Sequence, residues 1–279
     1  MNDSLTLSAN LSYSFAMTYE TQTTIITGAS SGIGAAFARA LAARGSNLIL
    51  VARRIDRLRG LAAELEAAHG VTATPIQLDL TSPTAGVDLR SAVAAAGMRA
   101  TSLINNAGFG TFGPFLDEDP SRLAQEIAVD IAAPVQLSAA FLPDIIESGD
   151  GYLINVASMA GYTPVPRMAV YGAAKAFVLS FTEALWAELR GTGIRVIVLS
   201  PGATATEFND VVGTEDATAG ARKRTPDDVV ATALRHLDKR NAGPSVIDGP
   251  SNRAASVIGR VVSRRAMVTM MERLTRPER

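Results

Sequence analysis

The chain contains no cysteine, which excludes disulfides, thiolate metal ligands and a cysteine nucleophile. Histidine is nearly as scarce: His69 and His236 lie far apart in helical patterns, without metal-ligand spacing, so no metal site is expected. A net charge of -1 leaves no footprint for nucleic acid. The 279 residues hold no Pro/Gly/Ser-rich linker, no repeat and no low-complexity tract, so one α/β domain is expected rather than two. Met1–Thr21 lacks the basic start and long apolar core of a secretory signal and cannot span a bilayer. It reads as an unstructured extension, with Met17 a second candidate start, and the protein is expected in the cytoplasm.

What is present is alternation. Strand-like runs at Thr23–Thr27, Asn47–Ala52, Ala73–Leu78, Ser102–Asn105, Tyr152–Ala157, Arg195–Ser200 and Ser245–Asp248 are separated by helical patterns. Leu48–Val51 and Val196–Leu199 are apolar at every position, as strands covered on both sides are. The pattern predicts a parallel sheet of about seven strands over residues 22–249, with helices on both faces.

The first strand runs directly into Thr27-Gly-Ala-Ser-Ser-Gly-Ile-Gly34 and an alanine-rich helix. Gly28 permits the tight turn, Gly32 lets a phosphate approach the backbone, and Gly34 lets helix and strand pack closely, while free N–H groups at the helix start face an anion. This is the arrangement of a dinucleotide site. Tyr171 and Lys175 lie one turn apart on one helix face, where an ammonium favours phenolate and is expected to lower the phenol pKa. Ser158 follows the strand Tyr152–Ala157, at the end where open α/β sheets deliver side chains to a ligand crevice.

With TGASSGIG over 27–34, NNAG over 105–108, Ser158 thirteen residues before Tyr171, YGAAK over 171–175 and Pro201-Gly202, the chain resembles the short-chain dehydrogenase/reductase family from about Thr23 to Phe208. The resemblance implies a single Rossmann-type doubly wound domain that moves a hydride between a nicotinamide cofactor and a carbonyl/alcohol pair of a small molecule. By it, Ser158 polarises the substrate oxygen, Tyr171 is the general acid in reduction, and Lys175 tunes Tyr171 and holds the nicotinamide ribose. Ser30, Ser31 and Ile33 belong to the phosphate loop, Asn106 supports the cofactor, Asp79 and Leu80 border the adenine, and Thr204 contacts the nicotinamide end. A homodimer or homotetramer is expected, and Ala203–Lys223 falls where the family carries a substrate lid.

An acidic residue about twenty positions after the glycine motif bonds the ribose hydroxyls of NAD, whereas arginine there accommodates the 2′-phosphate of NADP. Here the strand ends in Val51-Ala52-Arg53-Arg54, which predicts NADP(H), with Arg53 the main phosphate ligand and Arg54 a helper. A departure from the family pattern is Asp130, which stands where members carry an asparagine whose backbone carbonyl holds a water linked to the lysine. Pro134 has no N–H to occupy that carbonyl, so the relay is expected to survive through the backbone, while an ionised Asp130 beside Lys175 disfavours phenolate and directs the protein toward reduction.

Two further features carry expectations. Phe109, Phe112, Phe115, Tyr162, Met168 and Phe208 suggest an apolar pocket, with core packing the alternative. Pro250–Arg279 holds seven Arg and two Glu interleaved with valines and methionines, and reads as a basic amphipathic helix. It packs either on protein or on an anionic membrane surface, a peripheral contact. Two function classes follow: an NADPH-dependent carbonyl reductase, or a dinucleotide-binding regulatory or scaffolding protein with little turnover.

Overall fold

The computed structural model describes residues 17–214 and 221–276. Seven strands form one parallel sheet: β1 (Thr23–Thr27), β2 (Asn47–Ala52), β3 (Ala73–Gln77), β4 (Ser102–Asn105), β5 (Tyr152–Val156), β6 (Arg195–Ser200) and β7 (Ser245–Ile247). Their order is β3-β2-β1-β4-β5-β6-β7. β1 pairs with β2 on one side and β4 on the other, so the crossovers reverse direction there and open a crevice at the strand carboxyl ends.

Helices cover both faces, as the unbroken apolar strands require. Phe37 and Leu41 of α1 (Gly32–Ala42), Leu58 and Leu65 of α2 (Ile55–His69), and Val229 and Leu234 of α8 (Pro226–Leu237) fill one side. Leu89 of α3 (Ala85–Ala95), Leu137, Phe141 and Ile145 of α5 (Ala133–Ser148), and Leu185 and Trp186 of α6 (Ala169–Glu188) fill the other. α4 (Pro120–Ile127) continues through a π turn at Ala128–Ala132 into α5. Pro134 explains the π turn, because it has no N–H to close the regular bond onto the Asp130 carbonyl, and the Ala133 N–H reaches back five residues to Ala128. The joined run Pro120–Ser148 is long and apolar enough to cross a membrane, with mean hydropathy 1.4. In this fold its apolar face meets the sheet.

Two sequence expectations are corrected. The extension does not reach Thr21: Met17 and Tyr19 are buried in the core, so the packed domain includes the chain from Met17 onward. Tyr19 stands edge-on to the fully buried Tyr152 ring at 6.2 Å, and its hydroxyl donates to Asp238 at 2.7 Å. Residues 1–16 lie outside the described residues. Nor is 250–279 a single helix. It is α9 (Pro250–Val261) and α10 (Arg264–Leu274), broken at Val262 in extended backbone, with Ser263 Oγ accepting the Ala266 N–H. A serine with its own cap geometry ends one helix and starts the next. Both helices dock on the domain. A Cβ on Gly202 would fall 2.2 Å from Asn252 Nδ2, and Met267 and Thr275 are buried.

Because Tyr19 fills core space, Tyr19→Ala is expected to cost about 3 kcal/mol of stability, read as a lower urea midpoint; a loose extension would leave the midpoint unchanged.

Candidate active site

The crevice between the strand ends is a cleft of about 720 Å³. At one end the glycine turn wraps tightly. Gly28 and Gly32 have φ of 65° and 55°, a region that favours glycine. A Cβ on Gly34 would stand 2.3 Å from the Gly28 carbonyl oxygen and 2.6 Å from Asn106 Nδ2. Asn106 holds this junction closed, its Nδ2 donating to Thr27 O at 2.9 Å and its N–H to Thr27 Oγ1 at 2.9 Å. The Ser31 side chain does not cap α1, so the first-turn N–H groups around Ile33 are left to an outside acceptor. Left-handed glycines, a cradle that any Cβ would fill and an uncapped helix start fit a dinucleotide pyrophosphate.

Beyond this turn, Ala52, Arg53, Arg54, Asp79 and Leu80 line the wall. No carboxylate stands at the end of β2. Arg53 is exposed and has no ion-pair partner among the described residues, so its guanidinium is available. Asp79 takes the Thr81 N–H at 3.0 Å, which holds its carboxyl below the ordinary range, with Arg53 adding to the effect. Arg54 is engaged: it donates to Ser30 at 3.0 Å, Ser31 at 2.8 Å and Glu207 at 2.8 Å. Arg57 joins Glu207 at 2.6 Å, and the hydrogen bonds from Arg57 and Arg54 hold the Glu207 carboxyl at about 2. Sequence reasoning missed Glu207, because nothing in the sequence tells that a loop 153 residues away folds across the arginines.

The reacting end gathers Ser158, Tyr171, Lys175 and Asp130. Ser158 is the N-cap of a short 3-10 turn, Met159–Gly161, and its Oγ accepts the Ala160 N–H at 3.1 Å, so the hydroxyl still has a hydrogen to donate. Tyr171 sits one turn before Lys175 on α6, with the Lys175 ammonium 5.5 Å from its ring centre. Lys175 and Asp130 form an ion pair at 2.6 Å, both buried, and Asp130 Oδ2 takes the Phe109 N–H at 3.1 Å. Gly108 of the NNAG motif makes this pair possible: a Cβ there would lie 2.5 Å from Asp130 Oδ1 and 2.9 Å from Lys175 Nζ. Lys175 also donates to the Val156 carbonyl at 3.3 Å.

Burial opposes the Lys175 ammonium, but Asp130, with Tyr171 and Glu126 adding to it, raises the lysine pKa on balance, so Lys175 stays charged. The tyrosine departs from the sequence expectation. Burial pushes the Tyr171 phenol up; Lys175 and a hydrogen bond from Ser158 pull it down, Asp130 and Glu126 push it up again, and the net direction is upward. The lysine effect is present, but two buried acids and a dry wall exceed it.

At the far end, Tyr162, Met168 and Phe208 line the cleft as expected, with Phe109 beside Arg122, whose guanidinium lies 4.1 Å from the Phe109 ring centre. Phe112 and Phe115 do not line it, and Phe115 faces solvent. The stretch after Pro201-Gly202 forms α7 (Phe208–Val212) against the cleft, with Thr204 and Thr206 on its wall; 215–220 lies outside the described residues. The roof is α9 and α10, through Ile258, Met267, Met270, Met271 and Leu274. The spacing of Met267, Met270, Met271 and Leu274 puts them on one helix face, which the sequence did contain, without naming its partner.

Comparison with known proteins agrees with this architecture. A short chain dehydrogenase family model matches residues 22–217. The chain is 40% identical over 207 residues to sulfoacetaldehyde reductase 2 of Chromohalobacter salexigens, covering 72% of this chain and 81% of that one. Across its first curated relatives the chain spans from 65% to 81% of their length. Among solved structures, a short-chain dehydrogenase from Sphingobium yanoikuyae in complex with NADPH is 35% identical, with TM-score 0.76 over 86% of this chain and 93% of that one. A structure described as giving insights into 7beta-hydroxysteroid dehydrogenase stereoselectivity is 27% identical, with TM-score 0.80 over 90% and 96%. A Rossmann-type sheet, its glycine cradle and a family match over most of the chain agree: this protein belongs to the short-chain dehydrogenase family of oxidoreductases.

Proposed function

We propose that this protein is an NADPH-dependent carbonyl reductase for bulky apolar substrates, working through Ser158, Tyr171 and Lys175. The observation that carries the reading is a tyrosine, flanked by a serine hydroxyl and a paired ammonium, at the head of a cleft whose far wall is methionine, leucine and aromatic surface. The Sphingobium relative in complex with NADPH supports the cofactor, as do Arg53 and the missing carboxylate at the end of β2. The glycine turn, the start of α1 and Asn106 would hold the pyrophosphate side, Arg53 the 2′-phosphate, Asp79 and Leu80 the adenine, and Lys175 and Thr204 the nicotinamide end.

NADPH, when bound, supplies the hydride. Ser158, with its oxygen already tied to the Ala160 N–H, donates its hydrogen to the substrate carbonyl oxygen and polarises it. Tyr171 gives its proton to that oxygen as the alcohol forms. Lys175, kept charged by Asp130, steadies the phenolate left behind. Since the phenol is held above its ordinary value, Tyr171 is a proton donor at neutral pH and a base only under alkaline conditions, which favours reduction. Arg54 and Arg57 hold Glu207, and with it the α7 segment, over the cofactor side. The related sulfoacetaldehyde reductases act, by name, on a small anionic aldehyde. The roof of this cleft offers methionines and leucine instead, so an apolar ketone of steroid-like bulk fits better.

Four measurements test this. NADPH consumption against small aldehydes, anionic aldehydes and bulky ketones is expected to be fastest with the bulky ketones. Tyr171→Phe should keep NADPH affinity while losing about 10²–10⁴ in turnover, and cofactor binding without any turnover by wild type would favour a regulatory dinucleotide-binding protein. Arg53→Asp is expected to weaken NADPH far more than NADH in a fluorescence titration; equal loss of both would remove the 2′-phosphate assignment. Asp130→Asn takes away a negative charge that raises the Tyr171 pKa, so the apparent pKa for alcohol oxidation should fall. A profile that moves upward instead would mean that Asp130 acts chiefly by keeping Lys175 protonated.

A further inference from the structure

The single buried residue of α4 is an acid. Glu126 is fully buried four residues before Asp130, and its Oε2 accepts from Thr111 Oγ1 at 3.0 Å. Its Oε1 has no hydrogen-bond partner among the described residues. A buried carboxylate whose protein donors all come from Thr111, with no cation in contact, is costly to ionise, so this group is built to keep its proton. The charged and titratable groups around it are Asp130 in the following π turn, Tyr171 and Lys175 on α6, and Glu118 in the loop before α4. Arg122, one turn earlier, is turned instead onto the Phe109 ring.

Thr111 also faces outward. It lines a second, small cavity of about 30 Å³ with Gly113, Glu118 and Arg167, on the side away from the cofactor wall. That volume suits one water molecule, and the half-buried Glu118 lies at its edge, with Oε1 3.0 Å from where a Gly113 Cβ would be. Thr111 bonds Glu126, and Glu126 interacts electrostatically with Glu118 on the outer side and with Asp130, Lys175 and Tyr171 on the inner.

Resting on the reductase reading above, we propose that Glu126 is a proton store that refills Tyr171 through Asp130 and Lys175 and is itself refilled from solvent past Thr111. In each reduction the Tyr171 O–H bond breaks and an alcohol O–H forms. The phenolate then takes a proton from the Lys175 ammonium, the ionised Asp130 takes the Glu126 proton and passes it to the neutral Lys175 amine, and solvent returns a proton to Glu126, leaving Asp130 ionised again. Oxidation runs the chain backward, with Glu126 as the sink. Glu126 touches neither substrate nor cofactor; it acts through Asp130 and Lys175.

The test uses the full chain. Burial raises the Glu126 carboxyl to about 7, so wild-type turnover is expected to show an inflection there in matched pH–rate profiles. Glu126→Gln should remove that inflection and lower kcat on the order of tenfold in both directions, less than loss of a directly acting acid, with KM and NADPH affinity near wild type. Glu126→Asp should restore the inflection. Thr111→Val leaves the acid in place but removes the hydroxyl that lowers its pKa, so the inflection should move upward. Infrared spectra give an arm independent of turnover: a protonated-carboxyl band that titrates near neutral pH in wild type and is missing from Glu126→Gln. An unchanged profile in Glu126→Gln, an unmoved inflection in Thr111→Val, or a carboxyl band that persists in Glu126→Gln would each overturn the relay. Wild type that turns over no carbonyl would overturn the reductase reading instead, and the infrared arm would still decide whether Glu126 stores the proton.

Discussion

An ammonium and a carboxylate paired inside the protein constrain everything around them. Lys175 and Asp130 are both buried, and removing two charges from water costs several kcal/mol per ion before their attraction is counted. The pair is tolerable only where other polar atoms hold both members, here the Phe109 N–H and the Val156 carbonyl, and where the backbone leaves space for them. Gly108 is that space. The π turn contributes as well, since it sets the rotation of Asp130 between α4 and α5. One ion pair thus ties the NNAG loop, the proline-bearing helix, the end of β5 and α6 into a single arrangement. Losing either partner would leave the other charged and alone in a dry site.

The same logic explains why the chemistry stands at the strand ends. Within the sheet, backbone groups bond their neighbours and side chains are packed; at the carboxyl ends the chain turns away and leaves donors and hydroxyls facing the crevice. Ser158 comes off β5, Asn106 off β4 and the glycine turn off β1. The buried Asn105–Asn155 contact at 2.8 Å, with Asn155 bonded onward to Thr182, fixes β4 and β5 to α6 just below the reacting groups. Distances among groups from three strands and a helix are held by polar contacts within the core.

Much of this was legible in the sequence, for identifiable reasons. Strands buried on both faces are apolar at every position, so β2 and β6 were readable without any neighbour. The glycine turn was readable because its geometry needs glycine, and Gly34 meets that need literally, with a carbonyl oxygen where its Cβ would be. Asp130 was placed beside Lys175 by the family resemblance, at the position where members carry an asparagine. What escaped depended on partners distant in the chain. Tyr19 looked like part of a loose extension until Tyr152 and Asp238 were seen beside it. Arg54 looked free until Glu207 crossed to it. The net direction of the Tyr171 pKa needed the burial of the phenol itself, with Asp130 and Glu126 adding to it, and a sequence pattern does not show how deeply one tyrosine will pack.

The methionine roof has a consequence for how the molecule is made. Every group proposed to hold the dinucleotide or move the proton lies before residue 210, whereas the wall over the substrate comes from the last thirty residues of the chain. During synthesis, N-terminal parts emerge and begin to fold first. The nascent protein therefore passes through a stage in which the nucleotide groove is complete in covalent terms while the substrate chamber still lacks its ceiling. A chain shortened within α10 would lack part of that wall.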